Sequence, residues 1–539
     1  MGTRQRVLPL IILLLLGGVI FFGGLSWGLP SQQIDPFLFG HHPVWTGKQI
    51  QALLPIDTNP DRPGDVTAEP LLNRDRPILL NANDADRAHI IRRYRLFSYQ
   101  PDEITTFMGL SRMNPRHLDF DPRMYQYGGL WFYPVGALLK TSSLFHLIDL
   151  RSDPAFYLDH PEAFARFYLV DRSYTACWAI AGIFIVYLLM RRLGGDELEQ
   201  FVAALGFIFL PVVIYTAHEA KPHLPGAVLA LLAILMAIGF AQTGRSRYAI
   251  AMILCCGLAC SMVLTNIPLL LLIPIAYAIH DRYQLKRSIL GMLLAVLIYL
   301  FLNPYIPINL IFHRARLFAS YANTAAMYHF SFFGALGNAL HLMIAGDSLF
   351  IFLIGLGGLL LFIQGCSKAM ALLLIAGLLE AIPYFTFAAD KPAEYGRFAI
   401  LPDLVFMLLA FRLAGEMRGM PTSRLFFIIC MLVIMGSYGL PYWRGYLLDT
   451  QSQTTRMQLA ADLAAKAGDK NISIALDAEP APYSGPPMNL FDWKWILLPR
   501  GQAISPALPY DFYIAKADTQ PTPMSWANKQ FTVIRGNGQ

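Results

Sequence analysis

Four clusters of polar residues interrupt an otherwise apolar chain of 539 residues. The first is Tyr99-Gln100-Pro101-Asp102-Glu103, followed downstream by the aromatic run Met124-Tyr125-Gln126-Tyr127-Gly128-Gly129-Leu130-Trp131-Phe132-Tyr133-Pro134. A carboxylate such as Asp102 or Glu103 can take the proton of an attacking hydroxyl when it lies within hydrogen-bond reach. Tyr127, Trp131 and Tyr133 would then line a substrate cavity. The competing role for Asp102 and Glu103 is to cap a helix starting near Ile104, where carboxylates suit the backbone amides. The second cluster is His218-Glu219-Ala220-Lys221-Pro222-His223, a crowded short turn. His218 and Glu219 could hold a divalent cation, and Lys221 could neutralise a phosphate. The alternative is a plain solvated turn.

The third cluster is His313, Arg314 and Arg316. The fourth is Asp390, Lys391, Glu394, Tyr395 and Arg397, leading into Phe398-Ala399-Ile400-Leu401-Pro402. An arginine at the end of a membrane span suits a phosphate or pyrophosphate, or it snorkels to lipid headgroups. Two acids, Glu380 and Asp403, fall within apolar windows. An ionisable group there costs about 2.5–3.5 kcal/mol on insertion scales and so marks a functional position by default. Asp403 lies six residues beyond Arg397, roughly 9 Å along a helix, and could help shape the same cavity. The chain has no Walker loop, no His-Glu-x-x-His and no Gly-x-Ser-x-Gly. Gly355-Leu356-Gly357-Gly358 has no preceding strand and reads as packing. The net charge of +6 is scattered, without a basic stripe, so neither nucleotide nor nucleic acid is expected as a partner.

These clusters must be positioned by membrane helices. Hydrophobic residues make up 55% and charged residues 14%, against about 25% charged in soluble chains. That balance excludes most soluble enzymes and excludes disorder. A span needs about 20 largely uncharged residues. The first such window, Val7–Ile34, reads as a retained anchor, because no small-x-small cleavage site follows it. Ten more lie at about 173–190, 200–217, 222–243, 248–264, 266–280, 288–304, 348–367, 369–389, 396–411 and 425–443. The charge-free stretch 248–280 could be one long helix or a hairpin around Thr265-Asn266-Ile267-Pro268. Taking it as two spans places Arg191, Arg192, Arg245, Arg247, Arg412, Arg418 and Arg424 with the N-terminus, on the side that is enriched in Lys and Arg. Lys221, Lys391 and Arg397 then lie on the other side.

The expectation is a mainly α, polytopic membrane protein with about eleven transmembrane helices, N-terminus in and C-terminus out. Its transmembrane domain covers 1–444, with outer loops at 35–171 and 305–346, and Gly128–Ile148 forms an interfacial or re-entrant helix. Residues 445–539 form a small α/β domain outside the membrane. A helix over Thr454–Ala467 ends at Gly468, and strands are expected at Ile472–Leu476, Asp511–Ala515 and Phe531–Ile534. Asn471-Ile472-Ser473 matches a glycosylation sequon by pattern. All six cysteines lie in or beside apolar windows, so they read as packing residues and no disulfide framework is expected.

The order of these features resembles the GT-C superfamily of membrane glycosyltransferases, on the branch of protein O-mannosyltransferases and aminoarabinose transferases. The resemblance rests on an anchor helix, Asp102-Glu103 in the first outer loop and Tyr127-Gly128-Gly129 with Tyr133-Pro134. His218-Glu219-Ala220-Lys221, Glu394-Tyr395-Gly396-Arg397-Phe398 and a terminal soluble domain complete it. It implies a polyprenyl-phosphate sugar as donor, a glycan, lipid or protein acceptor, and inverting transfer at the outer face of a bacterial inner membrane. Asp102 matches the family's catalytic base, with Glu103 beside it. His218, Glu219 and Lys221 fall where the family meets a metal or phosphate, and Arg397 where it carries a basic residue at the penultimate span. The distance from Pro30 to Asp102 makes residues 35–95 an expected insertion. Two other readings stay open. One is a secondary transporter or flippase using Glu380 and Asp403. The other is a lipid-linked polysaccharide ligase using Arg314 and Arg316.

Overall fold

A computed structural model describes residues 3–54, 77–281, 284–326, 331–364, 366–387, 393–449, 455–468, 470–476, 485–498, 510–516, 525–527 and 531–535. The protein is a polytopic helical membrane protein with a small sheet formed largely by its C-terminal segment. Its contacts divide into two compact units. The first comprises Met1–Leu25, Gly109–Gly136 and Asp171–Gly445; the second comprises Ser26–Met108, Ala137–Val170 and Tyr446–Gln539.

Among the described residues six helices are long and apolar enough to cross a bilayer: Pro161–Arg192, His223–Thr243, Leu285–Leu302, Lys368–Thr386, Gly396–Glu416 and Pro421–Leu448. Two bent pairs meet the same test, Glu197–Phe209 with Pro211–Ala217 at 56° and Phe333–Asp347 with Leu349–Ile363 at 106°. Leu8–Phe22, Ser246–Met262 and Leu264–His280 are shorter apolar helices. Every expected window falls on one of these elements. The bend after Phe209 has a local cause, since Pro211 has no N–H to give to the preceding turn. The segment expected as an outer loop at 305–346 is largely helical, as Tyr305–Phe312, Arg314–Ala326 and Phe332–Asp347.

The 248–280 stretch is a hairpin. Helix Ser246–Met262 ends at Val263, and a 3-10 helix Leu264–Leu271 leads into Leu272–His280. His280 returns beside the end of the 223–243 helix, with Nδ1 3.4 Å from Ala241 O. A break in apolar surroundings needs partners for its backbone groups, and residues 126–128 supply them. Gly128 N–H donates to Met262 O at 3.1 Å, and Leu264 N–H donates to Gln126 O at 3.0 Å. Cys256 and Cys260 are buried, and their thiols face the carbonyls of Leu269 and Asn266. Gly355 and Gly358 let the 349–364 helix press against the backbone of the 400–416 helix, where a Cβ would come 2.7 Å from Phe406 O and 3.1 Å from Leu409 O.

The second unit corrects the expected domain division. Strands β1 Ile78–Leu79, β2 Ser473–Leu476, β3 Lys494–Leu497, β4 Phe512–Lys516, β5 Ser525–Ala527 and β6 Phe531–Arg535 form one sheet in the order β1-β3-β2-β4-β6-β5. The central β2 runs parallel to β3 and β4, and the outer pairs are antiparallel. Helix Thr455–Ala467 and strands β2, β4 and β6 fall on their expected segments. Residues expected as an insertion in the transmembrane domain share this core: Leu38, Ile50, Ile91 and Tyr94 pack with Leu459, Leu463, Ile474 and Trp495. Asn81 Nδ2 donates to Leu490 O at 2.7 Å and to Trp493 O at 2.8 Å, while Leu80 N–H donates to Trp495 O at 2.8 Å. Buried Arg95 pairs with Asp35 at 2.9 Å. The described parts of 35–95 and the C-terminal segment are thus two halves of one domain.

Candidate functional site

The first unit has two polar ends, separated by the 21-residue helix His223–Thr243, which spans about 30 Å. At the His223 end the second and fourth sequence-predicted clusters meet the Tyr127 aromatic run. The His223 ring lies edge-on to Tyr127, with centroids 5.8 Å apart at 87°. It is also edge-on to Phe398, at 4.9 Å and 89°. Arg397 is buried, and its guanidinium carbon sits 5.1 Å from the Phe398 ring centroid. The Tyr-Gly-Gly run, the 218–223 turn and the 394–398 segment therefore share one aromatic-walled region. A cation against an aromatic face in low dielectric gains more than at an exposed surface.

Local sequence explains how the Tyr-Gly-Gly run is held there. Tyr127 forms a backbone bridge with Val263. A Cβ on Gly128 would come 1.8 Å from Ser261 O, and one on Gly129 would come 2.0 Å from Leu302 O. Only glycine permits that approach. Asn303 Oδ1 accepts from Gly129 N–H at 2.7 Å and from Tyr305 Oη at 2.8 Å. Helix Gly129–Leu144 starts from this anchor. Trp131 is fully buried and packs against Tyr174 at 5.6 Å, so it supports the region rather than opening into it. Tyr133 donates to Phe120 O at 3.3 Å, and burial raises its hydroxyl above the ordinary phenol range.

The 218–223 turn is buried, which overturns its reading as a solvated loop. Lys221 is 2% exposed, and its Nζ lies 3.7 Å from Glu219 Oε2. His218 places Nδ1 2.7 Å from Ile214 O and Nε2 2.9 Å from Gly23 O. Both ring nitrogens are committed to carbonyl oxygens, and burial pushes the imidazole pKa down. His218 is thus a clamp between backbone segments, and the expected His218–Glu219 cation pair does not fit this geometry. Among the described residues no group of three or more His, Cys, Asp or Glu could hold a metal ion.

The third cluster splits. Arg316 Nη1 lies 3.6 Å from Asp121 Oδ2. That oxygen also accepts from Asn309 Nδ2 at 2.7 Å and from Tyr125 Oη at 3.2 Å. Arg314 is exposed. In the fourth cluster Asp390 and Lys391 lie outside the described residues. Glu394 and Tyr395 belong to the 3-10 turn Ala393–Ala399, and their side chains are likewise outside them. Asp403 is fully buried, with Oδ2 2.4 Å from where a Cβ on Gly346 would stand. The neighbouring Asp347 is also fully buried, and the carboxyl oxygens of both acids have no hydrogen-bond partner among the described residues. Sequence reasoning missed Asp347, because it assigned the 305–346 segment to a loop. It missed Asp121 and Asn309 as well; only their spacing to Tyr125 and Arg316 hinted at a network.

Asp102 and Glu103 belong to the second unit. They occupy the 3-10 turn Pro101–Glu103 that precedes helix Ile104–Arg112, so the helix starts where expected. Glu103 is fully buried and accepts a hydrogen bond from Ser98 Oγ, which also donates to Gln100 O at 2.9 Å. Asp102 is only partly buried and is the more accessible carboxylate. The turn is pinned from behind. Tyr99 N–H donates to Gly28 O at 2.8 Å, and the Arg456 guanidinium lies 4.1 Å from the Tyr99 ring centroid.

Fold and site together define the class: a multi-helix membrane protein carrying buried cations among aromatic rings at one end of its first unit. Comparison with known proteins goes no further than partial likeness. No protein-family model matches the chain, and no curated protein matches it. Among solved structures it is similar to ArnT from Cupriavidus metallidurans bound to undecaprenyl phosphate. The identity there is 13% over 83% of this chain and 96% of that one, with a TM-score of 0.45. It is also similar to the archaeal oligosaccharyltransferase AglB from Archaeoglobus fulgidus in complex with an inhibitory peptide and a dolichol-phosphate. That match is 11% identical over 95% of this chain and 69% of that one, with a TM-score of 0.42. Likenesses this low assign no activity to the chain.

Proposed function

We propose that the protein is an integral membrane glycosyltransferase of the GT-C type. It moves a sugar from a polyprenyl-phosphate donor to an acceptor hydroxyl on the outer side of a bacterial inner membrane. The observation that carries this reading is the meeting of Tyr127, His223, Phe398 and buried Arg397 in one region, with buried Lys221 on the adjoining turn. Cations and ring faces suit a phosphate and a sugar, and the apolar helices beneath suit an isoprenoid chain.

In this reaction the acceptor oxygen attacks the anomeric carbon from the face opposite the phosphate. The carbon–oxygen bond to phosphate breaks, configuration inverts, and the proton passes to the Asp102 carboxylate. Arg397 and Lys221 stabilise the charge gathering on the leaving phosphate, a contribution of about 3–4 kcal/mol per lost donor in comparable sites. Glu103 holds the turn, and Asp403 shapes the region behind Arg397. No nucleotide enters, because the lipid phosphate is the leaving group. His218 is not assigned as a metal ligand, since both its ring nitrogens already face backbone carbonyls.

The test is transfer from a panel of defined polyprenyl-phosphate sugars by the purified chain. At least one donor is expected to be consumed with inversion, and Asp102→Asn is expected to abolish transfer while the protein stays folded. Near-normal transfer by that variant would overturn the base assignment. A second reading, a proton-coupled transporter, is favoured by buried Asp347 and Asp403. It predicts substrate uptake into proteoliposomes driven by a pH gradient and lost in Asp403→Asn.

A further inference from the structure

The opposite end of the 223–243 helix carries a second basic region with a different construction. Arg191 and Arg192 close the 161–192 helix, and Arg245 and Arg247 flank the start of the 246–262 helix. Arg192 donates from Nη2 to Tyr248 Oη at 2.7 Å and from Nη1 to Gln242 Oε1 at 3.3 Å. Gln242 Nε2 returns a bond to Arg192 O at 3.1 Å. The Tyr248 ring lies 5.1 Å from the Arg192 guanidinium carbon and 5.0 Å from that of Arg247. Arg191, Arg192, Gln242 and Tyr248 line a cleft of about 550 Å³ together with Leu188, Leu235 and Met236, and Arg247 packs against its Tyr248 wall.

No acid lines this cleft, and none of the four arginines is ion-paired among the described residues. The nearby Arg412, Arg418 and Arg424 differ, because Glu199 and Asp196 engage all three. Two arginines therefore line a slot that is polar on one side and apolar on the other, with Arg247 beside it, at the end of three membrane helices. The Arg192–Gln242–Tyr248 bonds hold the rim in place. A free anion would use the rim and leave the slot empty. A peptide would find no strand edge or helical groove there. A glycerophospholipid uses both, placing phosphate against the guanidinium groups and acyl chains along Leu188 and Leu235.

The geometry points to a binding site for an anionic phospholipid headgroup in this cleft, separate from any donor-lipid site at the Tyr127 end. Basic pockets between membrane helices recognise anionic headgroups, with each Arg near the surface contributing several-fold to affinity. The site would fix the 161–192, 223–243 and 246–262 helices against one another and make the protein's stability depend on lipid composition.

The test uses the full-length protein, delipidated and titrated with phosphatidylglycerol, phosphatidylcholine or inorganic phosphate, read by native mass spectrometry and thermal unfolding. The wild type is expected to retain phosphatidylglycerol at least about tenfold more tightly than phosphatidylcholine and to gain Tm with it. An Arg191→Gln/Arg247→Gln variant is expected to lose roughly 30-fold in phosphatidylglycerol affinity, with its Tm in phosphatidylcholine unchanged. If that Tm falls, the exposed Arg247→Gln variant alone carries the test, at roughly fivefold. Equal binding of the two lipids, a preference that survives these variants, or the same stabilisation by inorganic phosphate would overturn the proposal.

Discussion

The two ends of the first unit solve the problem of charge near a bilayer in opposite ways. At the arginine end, fully buried Glu199 accepts from Arg418 at 2.7 Å and Arg424 at 2.8 Å and faces Arg412 at 3.6 Å. One acid ties the 197–209 helix to the 400–416 and 421–448 helices. At the aromatic end, Lys221 and Arg397 are more deeply buried than Arg418, Lys221 lies 3.7 Å from Glu219, and rings of Tyr127, His223 and Phe398 line the region. A cation saturated by carboxylates holds helices together. On the proposed reading, buried cations beside aromatic rings suit a ligand that brings its own negative charge. The difference teaches that burial of a basic residue does not by itself mark function; the partners do.

The largest effect that could break this contrast is on activity at the aromatic end. Arg397→Gln is expected to reduce sugar transfer about 10²–10³-fold while shifting Tm little, in a transfer assay paired with thermal unfolding. Glu199→Gln should do the reverse. It leaves three arginines without their buried acceptor, so stability is expected to fall by about 3–5 kcal/mol, with activity per folded molecule retained. Loss of activity without loss of stability in that variant would erase the distinction between the ends.

A smaller effect separates the two arginines of the third cluster. Arg316→Ala removes the partner of buried Asp121 and is expected to cost about 1–3 kcal/mol with partial loss of transfer. Exposed Arg314→Ala should stay within about 0.5 kcal/mol and leave transfer unchanged. A lipid-linked ligase would instead lose its activity in both. The smallest effect is a pH dependence at the arginine end. Burial raises the Asp196 carboxyl, but the Glu199 N–H and the Arg424 and Arg418 guanidinium groups outweigh it and hold the group below its usual value. A depressed carboxylate contributes stability above its unfolded pKa and loses it as pH falls through the folded one. Acid unfolding of Asp196→Asn below about pH 4 is therefore expected to be slightly flatter than in the wild type.

Much of this was readable along the chain, for definite physical reasons. Charge-free windows located the helices because a bilayer tolerates no others. The hairpin at 248–280 followed from placing Arg245, Arg247, Arg412, Arg418 and Arg424 on one side of the membrane. The Tyr127 run, the 218–223 turn and Arg397 were each marked by residue type. Their meeting was not legible, because the contacts join segments about 100 to 175 residues apart. His218 illustrates the limit. Its type suggests a metal ligand, whereas its two carbonyl partners, one of them at Gly23, come from backbone that no local pattern reveals. Strands β1 and β3 escaped notice for the same reason, since a two-residue strand at Ile78 pairs with one at Leu497. Asp347 escaped because it fell between the loop expected at 305–346 and the window expected from 348, whereas it ends the helix Phe332–Asp347.

The central claim is that the aromatic end receives a lipid-linked phosphate. Its most direct test is equilibrium binding of a long-chain polyprenyl phosphate against the matching polyprenol, to the wild type and to Arg397→Gln. The phosphate is expected to bind at least about tenfold more tightly than the alcohol, Arg397→Gln to remove most of this preference, and Arg191→Gln/Arg247→Gln at the other end to leave it intact. Equal affinity for phosphate and alcohol, or a preference that survives Arg397→Gln, would contradict it.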